Sequence, residues 1–164
     1  MYVSARSDYA LRAMLAVAAG VVGEGAGEGG ELVKAASLAE AQDIPFSFLQ
    51  GILLDLRRAG LLFSHRGSDG GYALTRPAQE ITVGDVLRAV GGSLTTVRGL
   101  PAERAGYHGV AAGLTDVWLA VHGAIATVVD SRTLADLLDR HPTNEEGGVV
   151  EPVPRRPDHT SYRS

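Results

Sequence analysis

The chain has no cysteine among its 164 residues. That absence removes disulfides, thiolate zinc sites and thiol redox switching together. Lysine is nearly missing too: Lys34 is the only one and stands in no phosphate-loop pattern, so positive charge falls to arginine. No H-E-x-x-H or G-x-S-x-G pattern occurs, so no hydrolytic constellation is expected and the chain is read as a non-enzyme. There is also no unbroken apolar run of the about 18 residues a membrane helix needs, so no membrane partner is expected. The apolar segment Tyr9 to Val22 is interrupted by Arg12 and preceded by Asp8, and its helical spacing suits a core helix better than a leader. Cytoplasmic localisation is the resulting expectation. Excess positive charge is lacking as well, because the net charge is −4. A strong nonspecific polyanion binder would be basic.

What is present is concentrated between Ile44 and Tyr72, in IPFSFLQGILLDLRRAGLLFSHRGSDGGY. Leu49, Ile52, Leu53 and Leu56 recur at helical spacing and predict one apolar face on a helix from Ser47 to Ala59. Ser47, Gln50, Gly51, Leu54, Asp55 and Arg58 occupy the other face, small or polar groups able to approach a base edge or phosphate. Gly60 ends the helix. Leu61 to His65 reads as a strand, Arg66 to Gly71 as a glycine-rich turn, and Tyr72 to Thr75 as the returning strand. Upstream, Ser37-Leu38-Ala39-Glu40 has the form of a capping box for a helix reaching Gln42, with a turn at Asp43-Ile44-Pro45. Ser47-Phe48-Leu49-Gln50 is read as a second cap. The fold expected is mainly α with a small β-hairpin: a winged helix-turn-helix followed by a long dimerisation helix.

The remaining segments complete that plan. Ser4 to Ala19 forms a first helix with Tyr9, Ala10, Ala13, Met14 and Val17 in one stripe, and Leu32-Val33-Lys34 could pair with the wing. Residues 20–31 are a Gly/Glu-rich loop. Thr82-Val83-Gly84-Asp85 caps a helix through Ala89, stopped by Gly91-Gly92. Ser93 to Gly113 lacks a period and reads as a loop. Thr115 to Val129 is a helix whose Val117, Trp118, Val121, Ala124, Ile125 and Val128 make a stripe wider than a surface helix needs; its cover is expected to be the same helix of a second subunit. Thr133 opens a last helix ending near Arg140, and residues 141–164 are Pro- and charge-rich and expected to be disordered. The domain plan is therefore 1–92 winged head, 93–113 sensor-type loop, 114–140 dimerisation and closing helices, 141–164 tail.

These motifs resemble those of the Rrf-type family of bacterial transcription regulators, the group that includes IscR, NsrR and CymR. The matching residues are Ser4 with Tyr9-Ala10-Leu11-Arg12-Ala13-Met14, Ile44 through Leu61, the wing Arg66-Gly67 with Gly70-Gly71-Tyr72-Ala73-Leu74, Ile81 to Val86, and Thr133 to Leu137. The likeness spans about residues 1–140 and fails in both loops and the tail. It implies a homodimer binding double-stranded DNA, with Ser47 and Gln50 facing bases and Arg66 entering the minor groove. Those roles fit the chemistry, since Gln pairs with adenine edges and narrow minor grooves attract Arg. Gln50-Gly51 replaces the acidic residue and Gln common in relatives, so a different operator preference is implied. Many relatives hold an iron–sulfur cluster through three loop cysteines, and the loop from Val97 to Gly109 offers none, so no cofactor is expected.

The function expected is a sequence-specific repressor binding a near-palindromic operator as a homodimer, without a cluster. The DNA-binding set is Ser47, Gln50, Gly51, Arg57, Arg58, Arg66 and Gly67; the dimerisation set is Trp118, Val121, Ile125 and Val128. A small-molecule or protein effector would contact residues 93–113, or none exists. No metal site is expected: His108 is the loop's one imidazole and has no partner at zinc-site spacing. His122 reads as a hydrogen-bonded interface histidine, the sharper alternative being a pH-responsive one. The rival class is a winged-helix protein–protein adaptor with no direct DNA role.

Overall fold

A computed structural model describes residues 2–20, 32–68 and 70–139, so the anticipated tail and most of the Gly/Glu loop lie outside the described residues. Helix α1, Ala5–Ala18, starts at Ser4, whose Oγ accepts the Ser7 amide at 3.1 Å. Ala10, Ala13, Met14 and Val17 are buried along it as the stripe predicts, with Tyr9 at the edge of the core. Helices α2, Ala35–Gln42, and α3, Phe46–Arg58, follow.

Both helices begin earlier than their Ser motifs suggest, and neither Ser37 nor Ser47 is a cap. Val33 forms an antiparallel bridge with Tyr72, exchanging amide–carbonyl bonds of 2.9 and 2.8 Å. The chain is thus held extended up to Lys34, and α2 starts at once, with the Leu38 amide on the Lys34 carbonyl. At α3 it is Pro45, at φ −54°, whose carbonyl takes the Phe48 and Leu49 amides. Proline's fixed φ is already helical. Ser47 therefore lies inside the first turn with its hydroxyl free for other use.

The wing is an antiparallel pair, β1 Leu62–His65 and β2 Gly71–Leu74, in the register Leu62–Leu74, Phe63–Ala73, Ser64–Tyr72 and His65–Gly71. Helix α4, Val83–Gly91, opens on the expected capping box: the Asp85 amide donates to Thr82 Oγ1 at 3.0 Å, and Asp85 Oδ2 accepts the Thr82 amide at 3.0 Å. Residues 93–113 are more ordered than a plain loop. A two-residue hairpin joins β3, Thr96–Val97, to β4, Leu100–Pro101, and short 3₁₀ turns follow at Ala102–Arg104 and Gly109–Ala111. The hairpin turns on Arg98 and Gly99, both at positive φ, the two-residue geometry that matches strand twist. Helix α5 is Leu114–Asp130, and α6 is Leu134–Asp139, capped reciprocally by Thr133 and Asp136.

The core unites the head. Met14, Leu38, Leu49, Ile52, Leu53, Leu56, Leu62, Ile81 and Val86 are all but fully buried, and Leu134 of α6 joins them. Each such side chain contributes about 1.5–3 kcal/mol by leaving water. The closing helix is stitched to the head by the Val83 amide on Arg132 O and the Leu134 amide on Ile81 O, both at 2.9 Å. At the same seam Arg88 makes a forked pair with Asp130 at 2.7 and 2.8 Å. A Cβ on Gly84 would overlap Asp130 Oδ1, so that close approach requires glycine.

Candidate nucleic-acid interface

Helix α3 buries Leu49, Ile52, Leu53 and Leu56, which leaves the opposite side outward. Ser47, Gln50, Leu54, Arg57 and Arg58 are exposed there at helical spacing, so the expected base-facing pair and both arginines share one face. Gly51 and Asp55 turn aside. Arg6 of α1 ion-pairs with Asp55 and also donates to the Gly51 carbonyl at 3.4 Å, which ties the start of α1 to the middle of α3. A Cβ on Gly51 would meet Arg6 Nη1 at 3.8 Å, ordinary contact. Gly51 thus lies beside the outward face and touches α1. Tyr9 adds an edge-on contact with Phe48 at 5.9 Å, and Arg12 stacks over Tyr9 at 4.9 Å.

The wing stands at the C-terminal end of the same face. Arg66 is exposed where β1 enters the turn, and Gly67 follows at φ +115°, a conformation that an L side chain adopts only under strain. Arg57 Nη1 donates to Ser64 Oγ of β1 at 3.0 Å, bridging reader helix and wing. Between them lies an open cleft of about 480 Å³ lined by Arg57, Leu62, Phe63, Ser64 and Arg66. Phe46, Phe63 and Ser64 were missing from the expected set, and Leu54 was read on the outward face without being included in it. Strand alternation does put Ser64 on the face of buried Leu62, a signal that the sequence reading left unused.

Charge pairing divides the arginines in two. Arg6, Arg12, Arg76 and Arg88 each hold a carboxylate, on Asp55, Asp8, Asp85 and Asp130 respectively. Among the described residues Arg57, Arg58, Arg66, Arg98, Arg104 and Arg132 have no carboxylate partner, and of these Arg57, Arg58 and Arg66 lie together, exposed, on α3 and the wing. Arg76, just beyond the wing, braces α4: it reaches Asp85 at 3.4 Å and the Glu80 carbonyl at 3.2 Å. An acidic protein can therefore present a local face of uncompensated positive charge.

Helix α5 carries two adjacent stripes. Leu114, Val117, Val121 and Val128 follow one another by helical steps and are 39–62% exposed. Trp118, His122, Ile125 and Val129 form the neighbouring stripe, which is half-buried to buried. Trp118 Nε1 donates to the Tyr107 hydroxyl at 2.7 Å, and His122 Nε2 lies 3.2 Å from Glu103. Arg98 covers the Tyr107 ring at 5.2 Å and donates to the Gly106 carbonyl at 3.3 Å, contacts that hold its unusual backbone. The expected dimerisation residues thus fall on both stripes, Val121 and Val128 on the open one, Trp118 and Ile125 on the one beside the loop. By length and composition alone Gly109–Asp130 could cross a membrane.

A model of the family described as Rrf2, iron-dependent transcriptional regulator, matches residues 3–140. The chain belongs to this family. A Mycobacterium tuberculosis protein named as an HTH-type transcriptional regulator is 42% identical over 137 residues, covering 84% of this chain and 81% of the relative. CymR of Bacillus subtilis, an HTH-type transcriptional regulator, is 32% identical over 84% of this chain and 89% of its own. Among solved structures, IscR of T. potens superposes with a TM-score of 0.67 at 32% identity, covering 91% of this chain and 94% of its own. The CymR structure from B. subtilis gives 0.67 at 28% identity over 87% and 99%. The chain is a DNA-binding transcriptional regulator with the winged-helix architecture of these relatives, and its family consists of regulators, not enzymes.

The family description names iron, and the residues here do not fit such a centre. The chain has no thiolate to offer. Among the described residues no group of three His, Asp or Glu side chains could hold a metal ion, and in the sensor-type loop Glu103 pairs with His122 instead. His108 is exposed.

Proposed function

We propose that this regulator acts in the bacterial cytoplasm as a homodimeric repressor, reading a near-palindromic operator with α3 and the wing. The observation that carries this reading is a cluster of three unpaired guanidiniums: Arg57, Arg58 and Arg66 share one surface with Ser47 and Gln50, while Arg6, Arg12, Arg76 and Arg88 are met by carboxylates. Gln50 suits an adenine edge, and Arg66 with Gly67 suits a narrow minor groove. Leu54 and Phe46, both exposed on α3, suit thymine methyl groups. The open stripe of Leu114, Val117, Val121 and Val128 is the surface a second copy would cover, setting two reader helices about one DNA turn, or a multiple, apart. The loop at 93–113, latched to α5 through Tyr107 and Glu103, is where a small-molecule or protein effector would act.

The test is selection of bound fragments from a random duplex pool in dilute buffer. Two inverted half-sites, with centres about 10 base pairs apart or a multiple of that, are expected. Retention without sequence preference, or no retention, would contradict the reading.

A further inference from the structure

The cleft between α3 and β1 has a chemistry of its own. Its walls are the Arg57 and Arg66 guanidiniums, the Ser64 hydroxyl and the half-exposed Phe63 ring, over a floor of buried Leu62. Among the described residues no carboxylate lines it. Arg57 is oriented by a neutral acceptor, Ser64 Oγ at 3.0 Å, so its position is fixed while its charge stays available. Arg76, nearby in sequence, has its charge met by Asp85 and supplies the contrast. Two planar donors and a hydroxyl around an open hollow suit a tetrahedral oxyanion, and an adjacent phenyl ring suits the apolar face of a sugar.

We infer that this cleft is a seat for one backbone phosphodiester of duplex DNA. Arg57 donates to its non-bridging oxygens, Ser64 holds Arg57 in place, Phe63 packs on the deoxyribose beside it, and Arg66 at the rim adds positive charge on its way into the minor groove. The inference rests on the DNA-binding reading above. The seat lies between the helix that reads the major groove and the hairpin that enters the minor groove, so it fixes the register between them. Phosphate contacts carry no base information but set position.

The experiment uses the full chain and the duplex selected above, with single methylphosphonate linkages placed one position at a time. Wild type should lose roughly tenfold in affinity at one linkage per half-site and little at its neighbours. Arg57→Ala should no longer respond to that linkage, and its salt slope should fall by about 0.9 per bound subunit. Arg57→Lys should restore the slope because it restores the charge. If Arg57→Ala weakens binding but keeps both the wild-type slope and its sensitivity to the neutral linkage, Arg57 is a strut and the seat is overturned. If wild type itself retains no duplex, the seat and the operator reading fall together.

Discussion

Helices α3 and α5 are both rich in leucine, isoleucine and valine, yet they treat them in opposite ways. Leu49, Ile52, Leu53 and Leu56 of α3 are fully buried in the head, whereas on α5 only Val129 is buried, and Val121 and Val128 are 39% and 62% exposed. An apolar face with no cover among the described residues is the kind of surface a second copy would cover. The head is built to be stable and to show arginines; the long helix is built to show hydrophobic surface.

That contrast can be broken at several points. Leu53→Ala, which opens a cavity in the head, should cost about 2–5 kcal/mol, seen as a fall in the urea midpoint with an unchanged m-value. Val121→Asp should leave the head's unfolding intact and convert dimers to monomers in light scattering. Dimers that persist would move the seam off the open stripe. Tyr107→Phe deletes the bond to Trp118 and should cost about 1 kcal/mol. Since Trp118 is the only tryptophan, its emission reports the latch directly; unchanged emission would mean the loop does not depend on that bond.

The smallest effect concerns pH. The hydrogen bond from Arg88 holds the Asp130 carboxyl below its ordinary range, outweighing an opposing desolvation with smaller help from the Arg88 charge, and the same bond raises Arg88. A depressed carboxylate contributes stability above its unfolded pKa and loses it as pH falls through the folded one. Arg88, being raised, would lose its share only in strong alkali. Both side chains are about two-fifths exposed, so solvent screens the pair. Asp130→Asn should therefore slightly flatten the acid limb of the stability curve; an unaltered limb would show that the pair contributes nothing measurable.

The helices were legible because their apolar spacing survives folding: the stripe on α1 and the face of α3 are buried much as read. The helix starts were not, because long-range bonding at Val33 and the fixed geometry of Pro45 outweigh a Ser hydroxyl's local preference. The hairpin at Arg98-Gly99 was hidden since its strands are two residues long and arginine seldom takes positive φ. Of the candidate site, residue types and the outward face were readable. Pairing was not: nothing local distinguishes Arg76, tied to Asp85, from Arg66, which no carboxylate of the described residues meets.

That last distinction gives the most direct test. Arg66→Ala and Arg76→Ala remove the same charge from neighbouring segments, so their affinities for the selected operator, titrated at moderate salt, should diverge. A marked loss for Arg66→Ala beside near wild-type binding for Arg76→Ala is the predicted result. Equal losses, or none for Arg66→Ala, would mean that the clustered unpaired arginines of α3 and the wing do not mark the surface that meets DNA.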